Sequence, residues 1–251
     1  MKKILIFICF FMTGCAGLPE RETLTFRGLK SKSFVLASWE KVEKPAKELH
    51  IYIEGDGFAW RDPYTPSSDP TPRNKMLLDF ADKDKTPNVV YLARPCQYIV
   101  NEKCDVPYWT DKRFSPEVIE SMADAVMFYI RKTKAENVTL VGYSGGATVA
   151  AGIAARVPEV NKLITIGGVL DWRAWTAYHG DSELTGSIEP SSYKDKIAKL
   201  PQIHYAGAKD KVVPPMLIQN FVDSLPASSD AKVVILPDAS HGKGWEMPRF
   251  D

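Results

Sequence analysis

The chain has 251 residues, of which 45% are hydrophobic and 25% charged, proportions that exclude a disordered, collagenous or polytopic membrane protein and lead to one well-filled domain as the expectation. Its 32 basic and 31 acidic side chains give a formal net charge of +1. There is no basic tract, so nucleic acid is set aside as a partner, because phosphate binding needs a concentrated positive face.

In chain order, the first element is a targeting signal. Lys2 and Lys3 precede an apolar run over residues 4–12, which is too short for a membrane-spanning helix of roughly 20 residues. Residues 1–14 read as a signal peptide, 15–21 as a tether and 22–251 as the folded domain. The segment Met12-Thr13-Gly14-Cys15 resembles a bacterial lipobox. This resemblance implies lipidation of Cys15, loss of the residues before it, and export to the cell envelope on a lipid anchor. Ala16 stands where an aspartate would signal inner-membrane retention, which favours the outer membrane facing the periplasm. An ordinary cleavage site or an uncleaved anchor is the alternative. Cys9 falls in the removed segment, leaving Cys96 and Cys104, for which an oxidising compartment predicts a disulfide. These two lack a neighbouring histidine, and structural zinc wants four ligands, so no metal is expected there.

From residue 22 onward, short β-branched or aromatic runs alternate with longer helical stretches, predicting an α/β fold with a mostly parallel sheet and helices on both faces. Strands are expected at 23–27 and 34–39 as an antiparallel lead-in, then at 49–53, 89–92, 138–141, 163–166, 202–206 and 232–236. Helical periodicity covers 75–81, 116–134, 147–156 and 215–224. The second of these opens with Ser115 as N-cap and Pro116 at the first helical position. Residues 62–73, rich in proline and serine, read as a loop, and 171–200 as an irregular, cap-like excursion between strands.

The most informative segment is Gly142-Tyr143-Ser144-Gly145-Gly146, between a predicted strand and a small-residue helix. A G-x-S-x-G nucleophile requires this strand, turn and helix context. A serine hydroxyl needs a base, and the base needs an acid to orient it. Downstream, Asp210 lies just beyond one strand and His241 in the loop after the last. The order Ser144, Asp210, His241 is the chain order of the α/β-hydrolase family, which this sequence resembles over essentially all of 22–251. The resemblance implies an α/β-hydrolase fold of about eight strands, with Ser144 as nucleophile, His241 as base and Asp210 as orienting acid, and no cofactor. Competitors are His50 and His204 within strands, His179 in the excursion, and Asp171 and Asp238 for the acid.

The same family logic places an oxyanion hole at the amide of Gly145 and at a loop amide after the third strand. Here that loop is Glu54-Gly55-Asp56-Gly57, where many relatives carry His-Gly, so the donor is Asp56 or Gly57. Aromatic residues are expected to shape the pocket: Phe58 and Tyr143, Tyr108 and Trp109 with Tyr98 around the Cys96–Cys104 loop, and Trp175 with Trp172 and Tyr178 in the excursion.

The reading that results is a serine hydrolase cleaving an ester of a small-molecule or lipid-like acyl group. Peptidase, thioesterase and acyltransferase chemistry share its machinery. A catalytically silent envelope lipoprotein that binds or scaffolds is the reading from another class. The chain has neither a G-x-G-x-x-G fingerprint nor a phosphate loop nor a His-Glu-x-x-His cluster, which sets nucleotide binding and metal-dependent hydrolysis aside. Oligomeric state is left open.

Overall fold

A computed structural model describes residues 18–43 and 46–250. The expected signal segment and Cys15 lie outside the described residues. The described end of the expected tether is docked: Trp39 Nε1 donates to Pro19 O at 2.9 Å, and Arg21 pairs with Asp79 at 3.1 Å.

Strands β1 (Thr25–Lys30) and β2 (Val35–Val42) form the antiparallel lead-in. After β3 (Glu48–Ile53) comes a small ribbon of β4 (Trp60–Asp62) and β5 (Thr65–Pro66), then helix α1 (Met76–Lys83) and β6 (Asn88–Leu92). A disulfide follows, joining Cys96 to Cys104 with Cα atoms 5.5 Å apart. Next in order are α2 (Pro116–Thr133), β7 (Asn137–Tyr143), α3 (Gly146–Ala154) and β8 (Val160–Ile166). The chain ends with α4 (Trp172–His179), α5 (Ser191–Ile197), β9 (Gln202–Gly207), α6 (Pro215–Asp223) and β10 (Ala231–Leu236). Eight strands form one sheet in the order β1-β2-β6-β3-β7-β8-β9-β10, parallel from β6 to β10.

Strand alternation divides the core between the two faces. Leu49, Ile51 and Ile53 of β3 join the cluster containing α2, α3, α5 and α6, whereas Tyr52 faces Leu77, Leu78 and Ala81 of α1. Helix α2 begins where the sequence signals it, with Ser115 Oγ accepting from Val118 N at 3.3 Å and proline in the first turn. Residues 146 to 153 of α3 are all buried between the sheet and its neighbouring helices, which explains their small side chains.

Two expectations need correction. The 171–200 excursion is not irregular: Asp171 accepts from Arg173 N and Ala174 N to start α4, Gly180 ends it at φ +71°, and α5 follows. Fully buried Trp172 ties the excursion to itself by donating to Ile188 O, and fully buried Tyr193 ties it to the end of the preceding segment by donating to Leu170 O. Residues 62–73 are also not wholly loop, since their first part completes the β4–β5 ribbon.

Candidate active site

Ser144 sits on the turn between β7 and α3 at φ +50°, a left-handed conformation that costs a non-glycine residue roughly 1–3 kcal/mol unless its surroundings enforce it. The surroundings do so. Ser144 N donates to Ile166 O at 3.0 Å, while Ser144 O accepts from Ala147 N and Val169 N. Gly146 is required by close approach, because a Cβ there would lie 2.3 Å from Ile53 O at the end of β3. The strained turn thus projects the hydroxyl above the carboxyl edge of the sheet.

The three residues far apart in sequence meet. His241 Nε2 lies 3.0 Å from Ser144 Oγ, and His241 Nδ1 lies 2.8 Å from Asp210 Oδ2. A carboxylate can only accept, so Nδ1 carries the proton and Nε2 is free to accept from the serine. Asp210 is buried, and its other oxygen accepts from Val212 N and Val213 N, both at 2.9 Å. The backbone of His241 is held as well: its carbonyl accepts from Tyr143 Oη at 2.7 Å and Trp245 Nε1 at 2.9 Å, and the Tyr143 ring stacks on the imidazole.

The competing residues are occupied elsewhere. His50 pairs with Asp84 at 2.7 Å, and His179 Nε2 donates to Val212 O. His204 is fully buried, and burial pushes its imidazole down to about 3, so it is neutral. Asp171 caps α4, and exposed Asp238 pairs with Lys209.

On the other side of Ser144, the β3 loop presents its backbone. The amides of Gly55 and Phe58 are taken by Glu54 Oε1 and Pro70 O. Among the described residues, those of Gly145, Asp56 and Gly57 have no acceptor within the protein. The loop is braced from two directions that the sequence reading missed. Gln97 Nε2 donates to Gly55 O at 2.9 Å, while the Asp56 carboxylate is clasped by Arg94 Nη1 at 3.0 Å and Arg113 Nη1 at 2.7 Å. Burial opposes ionisation of Asp56, but Arg113 and Arg94 outweigh it and hold the carboxyl below its usual range. Its neighbour Glu54 is raised by burial, although Tyr91 Oη and Gly55 N both donate to it.

A cavity of about 610 Å³ opens over these groups, with Ser144 and His241 in its wall. Phe58, Tyr143 and Trp175 line it, together with Phe114, Val169, Leu184 and Val212. Tyr108 and Trp109 do not. Tyr108 Oη donates to the Glu117 carboxylate and its ring meets Phe34 edge-on, whereas buried Trp109 donates Nε1 to Ser67 O. Aromatic character alone could not show which way these loop side chains turn. Among the described residues, no group of three or more His, Cys, Asp or Glu is placed to hold a metal.

Residues 75–241 match the family model of the FSH1 serine hydrolases. The chain belongs to this serine hydrolase family. The hydrolase also shares its fold with solved structures of low sequence identity. The esterase Pf2001 of Pyrococcus furiosus superposes with a TM-score of 0.61 at 16% identity, covering 89% of this chain and 88% of the esterase. A lidless α/β serine hydrolase of Xanthomonas campestris, XC6422, gives 0.56 at 16% identity over 89% and 87% of the two chains. A Klebsiella pneumoniae protein described as a dienelactone hydrolase gives 0.59 at 16% identity, over 87% and 86%. No curated protein sequence matches the hydrolase.

Proposed function

We propose that this serine hydrolase cleaves carboxylic esters through an acyl-enzyme on Ser144. His241 takes the serine proton as Oγ attacks the acyl carbonyl, then returns it to the departing alcohol, and repeats the cycle with water. Asp210 keeps the imidazole in the tautomer that accepts at Nε2 and stabilises its cation. The amides of Gly145 and of Asp56 or Gly57 receive the oxyanion, each supplying about 3 kcal/mol of barrier reduction. The observation that carries this reading is the unbroken relay at 3.0 and 2.8 Å on the wall of a largely apolar cavity. The apolar lining favours a small-molecule or lipid-like acyl group.

The place of action belongs to the same proposal. The lipobox-like Met12-Thr13-Gly14-Cys15 supports export and a lipid anchor at Cys15, and the Cys96–Cys104 disulfide is the bond expected of an oxidising envelope. Purified protein should turn over short p-nitrophenyl esters and lose that activity in His241→Ala. Absence of turnover across ester, thioester and peptide panels would overturn the proposal.

A further inference from the structure

The clasp around Asp56 has more positive charge than it needs. Arg94 and Arg113 are only 4% and 7% exposed, yet within 4 Å they share one carboxylate. Other bonds go to neutral carbonyls: Arg94 Nη2 donates to Arg113 O, and Arg113 Nε to Thr110 O at 2.8 Å. Arg94 Nε is buried with no acceptor among the described residues, whereas Arg113 Nη2, also without an acceptor there, is not fully buried. Two guanidinium groups share one carboxylate, so the open face of Arg113 is free to take a further anion from outside.

The structure shows where it would arrive. Arg113 lies in the wall of the 610 Å³ cavity that holds Ser144, 5.9 Å from the rings of both Phe114 and Trp175. Arg73 lines the same cavity, exposed, stacked 3.3 Å over Phe58 and in no ion pair among the described residues. Of the cavity's own acids, Asp56 is already clasped, and Glu54, held by Tyr91 Oη and Gly55 N, makes no ion pair within 4 Å with Arg113 or Arg73 among the described residues. Arg113 also borders a second cavity of about 420 Å³ with Asp111, Asp181 and Glu183 in its lining, but none of these carboxylates comes within 4 Å of its guanidinium.

We propose that Arg113 and Arg73 form an anion subsite and that the substrate is an ester whose acyl chain carries a carboxylate. Phe114, Trp175 and Leu184 give the alkyl spacer a surface to lie on, and the guanidinium fork receives the carboxylate. This inference rests on the ester-hydrolase reading for its chemistry, but its binding claim is testable apart from turnover.

The test compares 4-nitrophenyl hydrogen adipate with 4-nitrophenyl hexanoate, which have equal acyl length and differ by one carboxylate. Wild type is expected to show kcat/KM at least about tenfold higher for the adipate. That ratio should fall at least about tenfold in Arg113→Gln and severalfold in Arg73→Gln, largely through KM. Arg73 does not touch Asp56, so its variant reports on the subsite even where Arg113→Gln disturbs the loop. Equal losses on both esters, or a wild-type preference for hexanoate, would overturn the subsite. Calorimetry on Ser144→Ala separates binding from chemistry. Tighter binding of monoethyl adipate than of ethyl hexanoate supports the subsite even if wild type hydrolyses neither ester, an outcome that would sink the hydrolase reading alone. Equal binding of the two overturns the subsite.

Discussion

Two histidine–aspartate pairs of nearly equal length lie in this molecule, and only one has the surroundings of a catalytic site. His241 Nδ1 is 2.8 Å from Asp210, and His50 Nδ1 is 2.7 Å from Asp84. The difference is in what else touches each ring. At His241, Nε2 meets a hydroxyl held on a strained turn in the wall of a largely apolar cavity. At His50, Phe250 stacks on the ring at 3.9 Å, Thr86 shares Nδ1, and Tyr52 Oη donates to the same Asp84 oxygen. A carboxylate beside an imidazole therefore identifies a general base only when a nucleophile occupies the second nitrogen.

The sharpest way to break this comparison is to remove the nucleophile. Ser144→Ala should lower kcat/KM on a p-nitrophenyl ester by about 10⁴-fold or more with the fold intact by circular dichroism, and adding His241→Ala should lower it little further, since the two act as a unit. Asp210→Asn should cost about 10³- to 10⁴-fold by favouring the wrong tautomer, while Asp84→Asn leaves kcat/KM within about threefold and instead lowers stability by about 1–3 kcal/mol in denaturant titrations. Asp56→Ala strands two buried guanidinium groups, and the loss of stability should be about 3–5 kcal/mol.

A third histidine sharpens the contrast through pH. His204 titrates near 3 in the fold against 6.5 in the unfolded chain. The unfolded state therefore takes up the proton first as pH falls. Stability is complete above about 6.5 and declines towards pH 3, with a slope of up to about 1.4 kcal/mol per pH unit from this residue. His204→Gln should flatten that part of the unfolding free-energy profile. The smallest expected effect is at Trp245→Phe, which removes one donor to His241 O and should cost about 1 kcal/mol of transition-state stabilisation, read as roughly fivefold in kcat/KM.

Some parts of this site could be read in the sequence because local rules govern them. The Gly-Tyr-Ser-Gly-Gly turn had to join a strand to a helix, and Asp210 and His241 had to follow later strands; each position follows from backbone pattern and chain order. The Arg94–Asp56–Arg113 clasp was hidden because two long arginine side chains from separate loops reach the carboxylate of a third loop only in the fold. Helix α4 was missed for another reason: Trp172-Arg-Ala-Trp-Thr-Ala-Tyr-His is short and rich in weak helix formers, and it is held by the Asp171 cap and burial of Trp172, not by propensity. Trp245 lies after the last strand, where no periodicity marks a role, yet it braces the histidine loop.

A fluorophosphonate probe tests the core of the account most directly, because it reacts only with an activated serine. Wild type should be labelled at Ser144, His241→Ala should be labelled far more slowly, and Ser144→Ala should not be labelled at all. Labelling of Ser144→Ala at the wild-type rate, with the modified residue mapped elsewhere, would contradict it.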